Sequence, residues 1–403
     1  MHQTKDTQWL LNAVEALAQT AVSGGEYWRA TYTDQDRKAV ALLKEYMEQG
    51  GMETGFDAVG NLFGTVPGAS GEVIMAGSHR DTVRHGGKYD GILGVLTALA
   101  AVRSLYAELG RPRKTVRVAA LCEEESSRFP VSYLGSRYLC GELRGEELDK
   151  CDRQGVVLRD AMRSAGYLKV PFGSDARKPG RFVELHIEQG GVLEHERTQI
   201  GIVQSIVGWY EGEMIFRGRQ NHAGTTPMAL RLDPMPVACD FVCRLHRWAA
   251  THSGDMVCTV GRIEAQPGNT NVIPGSVRVS LDIRSADRAR LDEARLVLER
   301  LRAELSGGVE ITLATQCDEP PAPLDREGAG LLTQIAGELG LSHRPMVSGA
   351  GHDSQVMARH VPTNMIFIPS AGGISHSTDE SSSPGDIAAG YALLREYLRR
   401  MAW

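Results

Sequence analysis

Histidines and carboxylates stand where short apolar runs of this sequence end, and they are the side chains best suited to chemistry. His79 and Asp81 follow an apolar run at 73–76, and His186 closes another at 182–186. Side chains two residues apart in an extended chain point the same way. Asp81 would therefore accept a hydrogen bond from one ring nitrogen of His79 while the other nitrogen binds a metal ion. Taken alone, such a pair is more often an ordinary structural contact.

Acidic residues follow two further apolar patterns. Asp90 lies in the glycine-rich turn GGKYDG before a predicted helix at 92–109, where its carboxylate would alternatively cap the helix. Three glutamates at 123–125 follow the apolar run 115–121. Adjacent carboxylates repel each other, and the alternative here is a solvated strand end. Because neighbouring side chains diverge at a strand end, one carboxylate is able to bind a cation while the next stays free as a base.

A last histidine, His376, follows a predicted strand at 364–368. A lone histidine is more often a structural hydrogen-bonding residue than a ligand. Five candidate ligands at the carboxyl ends of predicted strands are harder to dismiss: His79, Asp90, Glu125, His186 and His376. They supply nitrogen and oxygen without thiolate, a set that suits two ions of zinc, manganese, cobalt or nickel.

The elements that must position these residues alternate between helix and strand. Helical spacing of apolar residues predicts helices at 9–21, 39–47, 92–109 and 156–165, and apolar runs predict strands at 61–66, 73–76, 115–121 and 182–186. This alternation predicts an α/β fold, with a mixed sheet that carries helices on both faces.

The pattern changes near residue 208. Strands are predicted at 211–217, 256–264 and 276–283, with helices at 234–249 and 287–305. They indicate an inserted, smaller α+β domain at 208–319, which the proline-rich segment 319–323 connects back to the first domain. Residues 320–403, with predicted helices at 327–339 and 386–401, would then complete the catalytic domain begun by residues 1–207.

Composition excludes several classes of protein. Across 403 residues, 44 Lys and Arg stand against 50 Asp and Glu, for a net charge of -6, which argues against a nucleic-acid or anionic-membrane partner. The longest weakly polar stretch, at 91–102, is shorter than the roughly 20 residues of a membrane span, and the N-terminus lacks an apolar signal core. Seven scattered cysteines without a CxxC pair suit reduced thiols. We expect a cytoplasmic protein.

Nine segments carry a family resemblance. They occur in this order over nearly the whole chain: GSHRDTV, GGKYDG, EEESSRFP, ELHIEQG, NHAGTTPM, NVIPG, DIR, SGAGHD and GISH. The set resembles the hydantoinase/carbamoylase family of binuclear metal amidases. That family includes allantoate amidohydrolases, N-carbamoyl-L-amino-acid hydrolases and β-ureidopropionase-type enzymes, and is related to aminoacylases and metallo-carboxypeptidases. The resemblance implies a homodimer whose inserted domain serves as lid and dimerisation domain.

The resemblance also implies roles for the candidate ligands, with two divalent cations, zinc or manganese, or alternatively cobalt or nickel. The ligands would form two sets that share Asp90 as a bridge: His79, Asp90 and His186, and Asp90, Glu125 and His376. Glu124 would be the general base toward a water acidified by the cations, and would return the proton to the leaving nitrogen. Asp81 would orient His79.

Residues of the inserted domain would complete the site. By the resemblance, His222 would stabilise the oxyanion in the active site of the partner subunit. Asn271 and Arg284 would bind the substrate carboxylate, a role that suits the planar guanidinium of arginine. Without the resemblance, Arg284 would be interpreted as a strand-end salt bridge with Asp282 or Asp287.

The predicted activity is hydrolysis of the ureido C–N bond of a small N-carbamoyl carboxylate, with release of ammonia and carbon dioxide. Gln189 and His352 are expected to line the substrate pocket. Allantoate and N-carbamoyl-L-amino acids both remain candidates, and the GGKYDG turn and the RFP at 128–130 favour allantoate. The alternatives are a dinuclear metallopeptidase or N-acyl amino acid hydrolase, and a non-catalytic binding relative.

Overall fold

The chain folds into two compact units. A computed structural model describes residues 2–175, 177–252, 254, 256–305 and 308–403. The first unit comprises Met1–Gln204 and Leu324–Trp403, and the second comprises Ser205–Pro323. The sequence predicted divisions at 207/208 and 319/320. 

The described residues form eleven α-helices and eighteen β-strands. The helices are α1 (His2–Ala21), α2 (Asp34–Gln49), α3 (Ile92–Leu109), α4 (Leu134–Leu139), α5 (Leu158–Ser164), α6 (Val192–Glu196), α7 (Pro234–Ala250), α8 (Arg288–Glu304), α9 (Arg326–Glu338), α10 (Asp353–Met357) and α11 (Pro384–Ala402). The strands are β1 (Val22–Ser23), β2 (Glu26–Tyr27), β3 (Glu53–Phe56), β4 (Leu62–Val66), β5 (Ser70–His79), β6 (Lys114–Leu121), β7 (Arg181–Ile187), β8 (Ile200–Ile206), β9 (Gly208–Arg217), β10 (Asn221–His222), β11 (Met256–Thr259), β12 (Ile263–Gln266), β13 (Val272–Ile273), β14 (Ser276–Ser285), β15 (Glu310–Glu319), β16 (Ala322–Pro323), β17 (His343–Ser348) and β18 (Thr363–Ile368).

The first unit is built on a mixed sheet, as the sequence predicted. Its strands lie in the order β8-β18-β7-β5-β6-β4-β3, with β17 beside β8. The four central strands β18, β7, β5 and β6 are parallel to one another, whereas β8, β4 and β3 pair antiparallel. Side chains alternate between two apolar clusters: Ile74 and Ala76 join one, and Met75 joins the other. Both faces of the sheet are therefore covered.

Helix α3 is the central core helix of this unit. By length and composition alone, this helix is long and apolar enough to cross a membrane. The apolar stretch therefore extends beyond the segment 91–102 that the sequence analysis identified. Twelve of its residues are buried in the protein core, which accounts for the apolar composition. Gly94 allows the close packing, because a Cβ there would lie 2.2 Å from the carbonyl oxygen of Leu185.

The second unit contains an antiparallel sheet in the order β11-β14-β9-β15, with β12 also beside β14. Helices α7 and α8 pack on it through Phe241 and Leu245 and through Leu291 and Leu298. The prediction of a single strand at 256–264 is wrong, because residues 260–262 separate two strands, β11 and β12. Strands β8 and β15 were not predicted.

Candidate metal centre

The candidate ligands of the first unit meet at one edge of its sheet. His79 ends β5, His186 lies next to the end of β7, and Glu125 follows β6, so neighbouring parallel strands bring them to the same edge. Asp90 lies in the turn before α3, and His376 lies in the loop after β18. The helix-cap alternative for Asp90 is excluded, because the residue before α3 is Gly91 and no side chain caps the helix.

His79, Asp90 and His186 form the first ligand set. Oδ1 of Asp90 lies 3.4 Å from Nε2 of His79 and 3.1 Å from Nε2 of His186. The other ring nitrogens, Nδ1, face main-chain carbonyl oxygens, at 3.1 Å from Asp81 and 2.9 Å from Ile187. With a cation bound, each ring would be neutral and carry its hydrogen on Nδ1, which leaves the Nε2 lone pair for the cation.

Asp90, Glu125 and His376 form the second set. Nε2 of His376 lies 3.3 Å from Oδ2 of Asp90 and 3.5 Å from Oε1 of Glu125. The backbone at His376 has a φ of 53°, in the left-handed region. Hydrogen bonds to Asp90 and Glu125 raise the pKa of His376 to about 10. In both sets the candidate ligand atoms lie within 4.8 Å of one another.

These residues fit divalent cations. Oδ1 of Asp90 is buried and has no hydrogen-bond partner among the residues that the structure describes, although it faces two imidazole nitrogens. Burial opposes charge on His79, but the facing carboxylate of Asp90 and the charge of Glu124 still raise the pKa of His79 well above the usual range. The protons that the imidazoles attract are what a cation would replace. Nitrogen and carboxylate ligands without thiolate suit zinc or manganese.

Asp81 acts differently from the prediction. Its carboxylate oxygen Oδ1 lies 3.9 Å from Nδ1 of His79, whereas its main-chain carbonyl oxygen accepts the ring hydrogen bond. The carboxylate instead accepts the main-chain N–H groups of Glu124 and Glu125, each at 3.2 Å. The predicted side-chain contact to His79 is corrected: Asp81 orients His79 through its backbone and holds the Glu124–Glu125 turn through its side chain.

Glu124 lies beside the ligands and is buried. Its carboxylate belongs to a group with His79 and Glu125 whose candidate ligand atoms lie within 4.8 Å of one another. Burial raises the pKa of Glu124 well above its usual range; the charge of His79 opposes that change, and the charges of Glu125 and Asp353 add to it. A carboxyl group whose basicity is increased in this way is suited to accept a proton.

The first glutamate of the run has a structural role. Glu123 has a φ of 51°, and its Oε1 accepts the main-chain N–H groups of Phe129 at 2.7 Å and Arg128 at 3.1 Å. These bonds close the loop that follows β6. Glu123 therefore turns away from the ligands, whereas the carboxylates of Glu124 and Glu125 both lie near His79.

The two expected pocket residues of this unit differ in position. Nε2 of Gln189 donates to Oδ2 of Asp90 at 3.0 Å, so Gln189 lies at the ligands themselves. His352 is only 1% exposed and its ring packs edge-on against His186, with centroids 4.6 Å apart. Burial lowers the pKa of His352 well below its usual range, and the charge of His186 adds to the effect. His352 thus supports the ring of His186, and its contact with substrate stays a prediction.

In the second unit, His222 presents a ring donor. It lies in β10, which pairs with β13, and Ala223 donates its main-chain N–H to the carbonyl of Asn271 at 3.0 Å. Nδ1 of the exposed His222 ring accepts the N–H groups of Gly224 and Thr225 at 3.0 and 3.2 Å. A neutral His222 ring would therefore carry its hydrogen on Nε2.

Arg284 forms a salt bridge with Asp282, the alternative that the sequence analysis gave for this residue. Its Nε and one terminal nitrogen each donate to the carboxylate of Asp282 at 2.9 Å. Both residues are partly exposed, so the pair is open to exchange with a ligand. A substrate carboxylate at Arg284 would share or replace the bond to Asp282.

Two buried carboxylates of the site were not singled out from the sequence. Glu184 accepts the hydroxyl groups of Ser78 and Ser354, each at 2.6 Å. A charged residue inside the apolar run of β7, two positions before His186, was the available sign. Glu380 accepts the main-chain N–H groups of Tyr89 and Asp90, and main-chain partners leave no pattern in a sequence.

Comparison with known proteins agrees with this architecture. A model of peptidase family M20/M25/M40 matches residues 65–400. The allantoate amidohydrolase of Escherichia coli K12 is 39% identical over 388 residues, covering 94% of each chain. The N-carbamoyl-L-amino-acid amidohydrolase of Pseudomonas sp. NS671 is 33% identical over 383 residues, covering 91% of each chain.

A solved structure agrees as well. An amidase of the hydantoinase/carbamoylase family from Burkholderia multivorans superimposes with a TM-score of 0.89 at 32% identity, covering 97% of each chain. The chain therefore belongs to peptidase family M20/M25/M40 and, within it, to the hydantoinase/carbamoylase amidases. This membership confirms the predicted class, a metal-dependent amidohydrolase.

Proposed function

We propose that this enzyme hydrolyses the ureido C–N bond of a small N-carbamoyl carboxylate, and that allantoate is its substrate. The observation that supports the proposal is the pair of ligand sets sharing Asp90, with the buried carboxylate of Glu124 beside them. The higher identity to an allantoate amidohydrolase than to an N-carbamoyl-L-amino-acid amidohydrolase, 39% against 33%, favours allantoate.

The chemistry divides between cations and protein. His79, Asp90 and His186 would hold one divalent cation, and Asp90, Glu125 and His376 the other. When bound, such cations polarise a carbonyl and make a water more acidic. Zinc and manganese are the ions we propose, on the chemistry of the ligands.

Proton transfer falls to Glu124. Its carboxylate takes a proton from the attacking water and delivers it to the nitrogen as the C–N bond breaks, so ammonia leaves and the remaining carbamate yields carbon dioxide. Asp81 holds the main-chain N–H groups of the Glu124–Glu125 turn and so fixes where the base stands. The ring N–H of His222 would donate to the developing oxyanion.

Substrate orientation falls to the remaining residues. We propose that Arg284 and Asn271 bind the substrate carboxylate, and that Gln189 contacts the reacting end because it already lies against Asp90. The enzyme is proposed to be a cytoplasmic homodimer whose His222 serves the partner subunit. All seven cysteines are free, which is consistent with a reducing compartment.

The test is ammonia release by protein reconstituted with Zn²⁺ or Mn²⁺. The panel contains allantoate, several N-carbamoyl-L-amino acids, N-carbamoyl-β-alanine and an N-acetyl amino acid. We expect turnover of allantoate. Preference for a carbamoyl amino acid would change the substrate within the same activity, whereas silence toward every ureido compound with full metal content would overturn the proposed function.

A further inference from the structure

Glu380 links two of the three segments that carry the second ligand set, the Asp90 turn and the His376 loop. Its Oε1 accepts the main-chain N–H groups of Tyr89 and Asp90, both at 3.1 Å. Its Oε2 accepts the hydroxyl of Ser375, the neighbour of His376, at 2.9 Å. The carboxylate of Glu380 thus bonds to both segments, although Asp90 and Ser375 are 285 residues apart in the sequence.

The contact is enclosed and closely packed. Glu380 is 2% exposed, and a Cβ at Gly87 would lie 2.0 Å from its Oε1. Gly87 of the GGKYDG turn is therefore needed for the carboxylate of Glu380 to reach the main chain at Asp90. Ser375 extends the connection, because its hydroxyl also lies 3.5 Å from Oδ2 of Asp90.

The two ligand sets depend on this link to different degrees. His79 and His186 lie in the central strands of the sheet, and their rings are held by main-chain carbonyl oxygens of their own segments. His376 lies in a loop, and its side chain is 50% exposed. The position of His376 relative to Asp90 therefore relies on bonds between the loops.

We propose that Glu380 is a positioning residue that sets the placement of His376 against Asp90, and thereby the affinity of the second ligand set for its cation. The first set shares Asp90, but its two histidines are held within the sheet, so it should depend on Glu380 less. The inference rests on the proposed two-cation centre.

The experiment is calorimetric titration of the metal-free full-length protein with Mn²⁺, with bound metal measured by elemental analysis. Wild-type protein is expected to bind two equivalents. In Glu380→Ala one equivalent is expected to weaken by about 10- to 100-fold, the range typical of lost supporting contacts, while the other changes by a smaller factor. Glu380→Gln keeps one acceptor oxygen and Ser375→Ala loses one hydroxyl, so both should show a smaller change in the same equivalent.

Glu188 offers a matched control. Its carboxylate also accepts two main-chain N–H groups, those of Val192 and Leu193 at 2.7 and 2.8 Å, but at the start of α6. Glu188→Gln should leave both equivalents unchanged.

Three outcomes would overturn the inference. Equal weakening of both equivalents, together with a lower melting temperature, would mean that Glu380 acts on the fold alone. Unchanged binding in the Glu380 and Ser375 variants would mean that the link is unnecessary. If Glu380→Ala does not fold, Glu380→Gln and Ser375→Ala decide between these results. A wild-type protein that binds only one equivalent would overturn the proposed two-cation centre and the inference with it.

Discussion

Asp90 is the residue on which the chemistry of this site converges. Each of its carboxylate oxygens faces a different ligand set, Oδ1 toward His79 and His186 and Oδ2 toward His376. Burial alone would raise the pKa of Asp90, but the three imidazoles that face its carboxylate hold it well below its usual range. The carboxylate is thereby kept ionised, which is the form that binds a cation.

Glu124→Gln should abolish most hydrolysis without loss of metal. The amide has nearly the same shape but cannot accept the proton, and general acid–base catalysis contributes typically about 10²- to 10⁴-fold to a rate. Ammonia release at saturating substrate measures kcat, and elemental analysis measures bound metal. A kcat equal to that of the wild type in this variant would show that Glu124 is not the general base.

Asp81→Asn should lower kcat/KM by about 10- to 100-fold, the range typical of lost contacts behind metal ligands. An asparagine amide offers only one acceptor oxygen, so one of the two N–H groups at Glu124 and Glu125 would face an NH₂ group. The main-chain carbonyl to His79 is retained, and the first ligand set should therefore keep its cation. If kcat/KM stayed at the wild-type value, the carboxylate of Asp81 would have no part in placing the turn.

At the scale of elements, α3 determines where two of the strand ends lie. The helix packs directly on β5 and β7, and at Gly94 a Cβ would meet the carbonyl oxygen of Leu185 at 2.2 Å and the Cβ of Ser78 at 2.8 Å. Leu185 and Ser78 are the neighbours of His186 and His79. A change in helix spacing is therefore transmitted to the first ligand set.

Gly94→Ala should destabilise the protein by about 1–3 kcal/mol, the usual cost of overpacking a core, and lower metal affinity as well. Gly330→Ala is the matched control: Gly330 lies within α9 and an added Cβ would meet nothing within 4 Å. That substitution should stabilise the protein by about 0.5–1 kcal/mol, because alanine favours helix over glycine. Denaturant unfolding compares the two, and equal effects would show that the helix is not closely packed at Gly94.

At the scale of the whole molecule, the proposal assigns His222 to the active site of the partner subunit. A complementation experiment tests that assignment. In a mixed dimer of Glu124→Gln and His222→Ala chains, one site would contain both intact residues and the other neither.

Random re-association of equal amounts of the two inactive variants should therefore restore about a quarter of wild-type activity. Each variant re-associated with itself should stay inactive and serves as the control. Absence of any recovery, with mixed dimers shown to be present, would place His222 in its own subunit's site or outside catalysis.

Much of the fold followed from local pattern. The central strands β5, β6, β7 and β18 are apolar runs of a fully covered sheet, and α2 begins and ends with ordinary caps, Thr33 and Gly50. Strand β8 lies beside the central strands, and β15 is only partly buried; neither was predicted. Both strands pair with strands that are distant in sequence, so the pattern of their own residues is a weaker indication that they are strands.

The amino-acid sequence alone indicated which side chains could act as ligands and base, and the family that they define. It could do so because each ligand lies close in sequence to the end of a strand or the start of a helix, a relation that is visible locally. Only the tertiary structure decided that Asp81 orients His79 through its backbone, that His352 is buried behind His186, and that Glu380 reaches the Asp90 turn from 290 residues away. These contacts involve main-chain groups or distant segments, and neither leaves a pattern in the order of side chains.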